Sequence, residues 1–344
     1  MLYVTTRNKD EVFTAHRVLT GNRGPDGGLF VPYRLPVFSE QEILSLADRN
    51  FNANVAQIIN LFFSSRLVSQ DLDLALGRRC VRLQQLGQRI IMGECWHNTD
   101  WTFDRLVADL TALLVKDSEA PAKPKGWAGT GIRIAVLFGM FGELIREGIA
   151  AFDRKVDVSL VSGDFEGPMA AWYARAMGLP IGNIICCCNE NAALWDFICH
   201  GQLRTDGAAV PTMVPEADVQ VPQGLERLIG LYGGQEEVDR YVGAVHEGST
   251  YYLEDAMLHR LRQGIYVTVS SEKRILQTIP AAFATHRYVL CPAAALAYSG
   301  LQDYRARTGE MPNALILTEQ SPGLHAARIA SAIGIPESAL PQYL

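Results

Sequence analysis

Apolar residues along this chain follow two periods, and the change from one to the other falls near its middle. Residues 1–36 read as a short strand, a polar turn and a loop rich in Gly and Pro, Gly24-Pro-Asp-Gly-Gly-Leu-Phe-Val-Pro32. From Ser39 to about Arg89 apolar side chains recur at helical spacing, as at Val55, Ile58, Ile59 and Phe62, which predicts several helices. Leu106, Leu110, Leu113 and Leu114 continue that pattern across Asp100 to Val115. Residues 116–126 break it with two prolines, charges and small residues, as an exposed linker would. Gly131 to Phe152 reads as one helix that tolerates Gly139, Gly142 and Gly148.

Beyond that point the period shortens. Val156 to Val161 is a strand by its β-branched alternation. It runs into the loop Ser162-Gly-Asp-Phe-Glu-Gly-Pro168 and a helix from Met169 to Met177, stopped by Gly178-Leu-Pro180. Ile184 to Cys188 is the next strand, and Asn191 starts the next helix. Val267 and Val269, Tyr288-Val-Leu290 and Ala314-Leu-Ile-Leu317 predict further short strands. Strand and helix in alternation imply an α/β fold, with parallel strands and helices on both faces.

Composition narrows the picture without changing it. The 344 residues are 48% hydrophobic and 20% charged, enough to bury a substantial core. Net charge is −6 and no basic run exceeds two residues, which argues against nucleic acid or an anionic membrane as partner. The N-terminus lacks the apolar segment of a signal peptide. The most apolar stretch, Ile132 to Phe141, is too short to span a bilayer and is followed by Glu143 and Arg146. Seven cysteines show no framework spacing, so reduced thiols in a cytoplasm are expected.

Candidate chemistry is sparse. Cys186 to Cys188 with Cys199 and His200 could suggest zinc, but consecutive strand residues point to opposite faces and cannot converge, so no metal is expected. Cys95 and His97 could form a nucleophile pair only with an orienting partner. Gly126-Trp-Ala-Gly-Thr-Gly131 follows a linker instead of a strand and makes a poor nucleotide loop. Asp100 and Asp104 share a helix face, as acids at a helix start commonly do. The turn Ser162 to Gly167 feeds a helix N-terminus, a place suited to an anion, yet Asp164 and Glu166 would set two negative charges there. N-capping acids at a strand-to-helix turn are the simpler reading.

The runs Leu2-Tyr-Val-Thr-Thr-Arg7 and Gly24 to Pro32, then Ala174-Arg-Ala-Met-Gly-Leu-Pro-Ile181 with Asn189-Glu-Asn191, then Asp218-Val-Gln-Val-Pro-Gln-Gly-Leu-Glu-Arg227, resemble threonine synthase in that order. The resemblance reaches both ends of the chain. It implies a fold-type-II fold, like that of tryptophan synthase β, which holds pyridoxal phosphate (PLP) on a lysine and converts O-phosphohomoserine to threonine. The run Cys95-Trp-His-Asn-Thr-Asp-Trp-Thr-Phe-Asp-Arg-Leu106 is similar to the family's lysine-bearing run, and Asp104 stands in the lysine slot. A carboxylate cannot form an imine. The family's Ala-Thr-Ser-Gly-Asp-Thr-Gly run has no counterpart, the phosphate loop has become Gly163, Asp164, Phe165, Glu166 and Gly167, and the run Cys291-Pro-Ala-Ala-Ala295 lacks the family's histidine. Thr318 matches the hydroxyl that meets the pyridine nitrogen.

The resemblance therefore implies a reduced fold-type-II fold with a truncated second domain. Residues 1–115 would be a threonine synthase-like helical region, 116–130 a linker replacing a deleted subdomain, and 131–344 the main α/β domain. A threonine synthase-like pseudoenzyme is expected, binding a small molecule or a partner without cofactor. The alternatives are altered chemistry by acids such as Asp104, Asp164 and Glu166, or a PLP-dependent lyase whose lysine is Lys116 or Lys125. The helix over residues 131–152 carries Ile132, Val136, Leu137, Met140, Phe141 and Leu144, more apolar surface than one core-facing stripe, so it or the helix from Phe103 to Leu114 is expected at a homodimer or partner interface.

Overall fold

The computed structural model describes residues 1–76, 81–96 and 102–344. Its first strand, β1 (Leu2–Thr5), pairs antiparallel with β2 (Phe13–Thr14) on one side and β3 (Phe30–Pro32) on the other. α1 (Ala15–Thr20) follows β2, and the Thr14 hydroxyl accepts the Arg17 N–H at its start. α2 (Glu40–Leu44) begins in a capping box, where Ser39 and Glu42 each satisfy the other's backbone N–H. α3 (Phe51–Phe63) buries Val55, Ile58, Ile59 and Phe62, the face that their spacing predicts, and α4 (Ser69–Leu76) packs beside it.

The main sheet begins earlier in the chain than expected. β4 (Arg82–Leu86), in the stretch read as helical from Ser39 to about Arg89, pairs antiparallel with β5 (Ile90–Glu94), which lies just beyond it. β5 is buried at every position, and its short run Ile90-Ile-Met92 without alternation has the same appearance in a buried strand and in a buried helix. α5 (Phe103–Leu114) and α6 (Trp127–Arg146) come next, then β6 (Val156–Val161), α7 (Glu166–Ala176), β7 (Ile181–Cys188), α8 (Ala193–His200) and β8 (Gln202–Arg204). α9 (Leu225–Glu247), β9 (Thr250–Tyr252), α10 (Asp255–Leu261), β10 (Ile265–Val269), α11 (Glu272–His286), α12 (Pro292–Thr308), β11 (Ala314–Thr318) and α13 (Ala326–Ile333) complete the order.

Six strands form one sheet in the order β10-β7-β6-β11-β5-β4, all parallel except the edge strand β4. This is the α/β architecture that the alternation implied, although β4 and β5 join residues 82–94 to the same sheet as the later strands. The segment 1–115 is therefore not purely helical and not separate from 131–344. Tyr288-Val-Leu290 forms no strand. It is an unpaired lead into α12, whose first residue is Pro292, and the Tyr288 hydroxyl donates to Glu94 at 2.7 Å.

Two apolar clusters cover the sheet. Val158, Leu160, Cys186, Cys188 and Leu315 belong to the larger one, which includes α6 and α7. Met92, Ile185, Cys187 and Ile316 belong to the other, with α11 and α12. The three consecutive cysteines thus alternate between faces, as strand geometry requires, and all are buried free thiols.

α6 corrects two expectations. It starts at Trp127, so the glycine-rich run is its first turn, and it ends at Arg146, before Phe152. By length and composition it could cross a membrane, but it lies inside the fold, packed against α3, α5 and α7. Ile132, Val136, Leu137, Met140, Phe141 and Leu144 are each at most 4% exposed. Its surplus of apolar surface closes the core of a single chain, and none of those six residues is left to form an interface.

Candidate functional site

A cleft of about 530 Å³ opens at the C-terminal ends of β6 and β11. Ligands of open α/β sheets sit at that end of the strands. One wall is the start of α5 with the linker residues Pro124 and Lys125, and the other is the turn from β6 into α7. Pro215, Glu216, Ala293, Leu317, Glu319 and Gln320 complete it. Five acids, Asp104, Asp164, Glu166, Glu216 and Glu319, face two bases, Lys125 and Arg133. The cleft is net negative.

Arg133 organises it. It is the one charged residue between Trp127 and Gly142, on a helix buried on all sides. Its guanidinium stacks on the Phe103 ring at 4.7 Å and reaches three carboxylates from three elements. It donates to Glu319 beyond β11 at 3.2 and 3.3 Å, to Glu166 of α7 at 3.4 Å and to Asp104 of α5 at 3.4 Å. Burial pulls the guanidinium pKa down, but the charges of Glu319 and Glu166, the hydrogen bond to Glu319 and the charge of Asp104 outweigh it and hold the group above its usual range. The periodicity of the sequence did not single out Arg133. The signal was there, since a lone arginine in an all-apolar helix must meet carboxylates.

The turn after β6 is tightly specified. Gly163 and Phe165 both have positive φ, 45° and 67°, a costly conformation for a phenylalanine. Gly224 packs against this turn, and its N–H donates to the Asp164 carbonyl at 2.9 Å. α7 starts at Glu166, three residues before Met169, so Glu166 sits in its first turn. Glu166 accepts the Gly126 N–H at 2.9 Å on one oxygen and meets Arg133 with the other. Asp164 accepts the Gln223 N–H at 2.6 Å. Burial in the cleft wall raises the Asp164 pKa despite that hydrogen bond, although the residue still meets solvent. Burial also raises that of Glu216, with the charges of Glu319, Asp218 and Asp104 adding to it.

The structure brings together Asp104, Gly163, Asp164, Glu166 and Gly167 in the cleft wall, and leaves two other candidates outside it. Phe165 is buried beneath the turn. The Thr318 hydroxyl is also buried, where it accepts the Trp96 indole N–H at 3.2 Å. Ala293, in the run where the family resemblance expects a histidine, does line the cleft. Of the two alternative lysines, Lys125 lines the cleft and Lys116 does not. His97 and Asp100 lie outside the described residues. Among the described residues no group of three His, Cys, Asp or Glu could hold a metal ion.

A family model described as "Threonine synthase N terminus" matches residues 2–78. The human protein "Threonine synthase-like 1" is 31% identical over 159 residues, which cover 45% of this chain and 21% of that protein. The human "Threonine synthase-like 2" is 21% identical over 397 residues, covering 86% and 82%. Among solved structures, PLP-bound threonine synthase from Brucella melitensis superposes with a TM-score of 0.85 at 17% identity, over 97% of this chain and 92% of that one. Threonine synthase from yeast gives 0.82 at 14% identity, over 97% and 90%. Residues 2–78 thus resemble the threonine synthase N terminus, and the fold of the whole chain is that of the solved threonine synthases. The chain matches only about a fifth of the length of the first of these curated relatives.

The runs that carry the resemblance meet one another in space. Arg7 donates to both oxygens of the buried Glu226, at 3.1 and 2.9 Å, and the Thr6 hydroxyl donates to the same carboxylate. Arg227, fully buried, donates to the Phe30 carbonyl at 3.2 Å, which ties the Gly24 to Pro32 run to α9. Asp218 accepts from Asn189 at 2.7 Å, from Asn191 at 3.1 Å and from the hydroxyl and N–H of Thr212 at 2.7 and 2.8 Å. These contacts fix the frame around the cleft and do not line it.

Proposed function

We propose that this threonine synthase family member has left PLP chemistry and threonine synthesis, and acts as a binding protein through its charge-altered cleft. The observation that carries the reading is the cluster of Asp104, Glu166 and Glu319 around Arg133. Asp104, in the slot of the family's lysine, offers no amine. The cleft also fits a phosphate poorly. A dianion at the start of α7 would meet Asp164 and Glu166, and Pro168 in the first turn supplies no N–H. Ala293 supplies no ring in the run where the family has histidine. A missing substrate subdomain fits the alignment with the human "Threonine synthase-like 2", whose 397 positions exceed the 344 residues of this chain. We place that loss at residues 116–126, between α5 and α6.

The test is threonine formation from O-phosphohomoserine with PLP supplied. Neither the native chain nor Asp104→Lys is expected to form threonine, because the missing parts act as a unit with the lysine. Turnover by the native chain would overturn the reading, and turnover by Asp104→Lys alone would refute the proposed deletion. A second reading keeps the cofactor on another amine. It is favoured by Lys125, which lines the cleft and whose charge acts on Asp164 against the rise that burial causes. A reducible PLP adduct at that lysine would decide for it.

A further inference from the structure

A second cavity, of about 720 Å³, lies at the opposite end of the sheet from the cleft. Its floor comes from the N-terminal ends of three neighbouring strands. Asp157 is the second residue of β6, Asn183 the third of β7, and Asn313 directly precedes β11. Nothing in the threonine synthase resemblance falls on these residues.

Asp157 is the unusual group. It is 2% exposed, yet it lines this cavity. One carboxylate oxygen, Oδ1, accepts the Asn183 N–H at 2.7 Å. That approach needs a glycine at position 182, where an added Cβ would fall 2.4 Å from the same oxygen. The other oxygen, Oδ2, is buried and has no hydrogen-bond partner in the protein. A buried carboxylate left half satisfied is costly. Burial accordingly pushes the Asp157 pKa up to about 6, against the lowering effect of its hydrogen bond. Arg305 is the cation of the fold that acts on it, but the Arg305 Nη2 donates to the carbonyls of Arg89 and Pro312 and forms no ion pair with Asp157 among the described residues.

The rim is of the other sign. Arg89, Arg154 and Lys155 line the cavity from exposed positions, and Asp153 and Glu310 stand beside them. Glu310 is engaged by the Tyr304 hydroxyl at 2.6 Å, and Arg154 by the Gly148 carbonyl. The cavity thus offers a buried acceptor of one sign and exposed cations of the other, together with two amides.

We propose that this cavity binds a small aminocarboxylic zwitterion, its ammonium on Asp157 Oδ2 and its carboxylate on Lys155 and Arg154. An ammonium donates hydrogen bonds and charge at once, which is what the unpartnered oxygen lacks. The rim cations answer the carboxylate.

The test uses the purified full chain and a series of probes from glycine through β-alanine and 4-aminobutanoate to 5-aminopentanoate. Butylammonium and butyrate are the single-charge controls, and binding is read by calorimetry and by the shift in melting temperature. At least one zwitterion is expected to bind saturably in roughly the millimolar range, about tenfold tighter than either control. Asp157→Asn should weaken it about tenfold, since the amide carries no charge to meet the ammonium. Should that variant fold poorly, Lys155→Ala at the exposed rim should still weaken binding several-fold with the melting temperature unchanged. No saturable binding by any probe, or equal binding by wild type and Lys155→Ala, would overturn the proposal. So would binding lost in Arg133→Gln and kept in Lys155→Ala, because that pattern places the ligand in the cleft.

Discussion

Glu226 and Glu166 are both bound by arginines, and their settings differ. Glu226 is buried in the frame, where Arg7 grips both its oxygens and Thr6 adds a third contact from the N-terminal strand region. Glu166 lines the cleft, where it shares Arg133 with Glu319 and Asp104 at distances of 3.2–3.4 Å. The frame pair joins segments more than two hundred residues apart, and its geometry satisfies the groups that it buries. The cleft cluster has one cation for three carboxylates, and one of these, Asp104, is 88% exposed. Where the resemblance to threonine synthase is strong, the residues stitch the fold. Asp104, the α7 turn and Ala293, where the sequence reading expects departures from that family, line the cleft.

This contrast predicts how strongly each region responds to substitution. The largest effect is expected from Glu226→Ala, which strands Arg7 and Thr6 and should cost about 3 kcal/mol in urea unfolding. A loss under about 1 kcal/mol would mean that the frame pair is far weaker than its burial implies. Asp218→Ala removes the shared acceptor of Asn189, Asn191 and Thr212, and a loss of about 2 kcal/mol should appear as a lower urea midpoint at unchanged slope. Arg133→Met should be milder, about 1 kcal/mol, since solvent reaches two of its three partners and the lost stacking on Phe103 is small. Were it to rival Glu226→Ala, the cleft would be part of the structural frame. Asp104→Ala should change stability by less than about 0.5 kcal/mol, because the side chain is almost fully solvated.

Much of the frame was legible in the sequence, and the reasons are local. Val156 to Val161 is a strand over the range that its alternation gives, and the face of α3 follows from spacing alone. The helix over 103–114 was visible in its leucines. β5 was not, because Ile90 to Glu94 is buried on both faces and so has no period to read. Tyr288 to Leu290 has the β-branched and aromatic character of a strand but no neighbour to pair with. In the cleft, the turn from Gly163 to Gly167 was legible as a strand-to-helix turn, but the N-capping acids expected there do not cap α7, whose N-cap position is Phe165. Thr318 looked equally plausible at its strand end, yet its hydroxyl turns inward to Trp96. Arg133 and Glu319 lie 186 residues apart, and nothing local in the sequence joins them. They become a pair only when α6 is laid beside the end of β11.

The central claim is that the cleft no longer captures PLP through an amine. It is tested most directly by incubating the purified chain with PLP, reducing with borohydride and mapping the modified peptides. We expect a protein without a visible cofactor band and only scattered, substoichiometric labelling of exposed lysines. A stoichiometric adduct on one residue, Lys125 above all, would contradict the account.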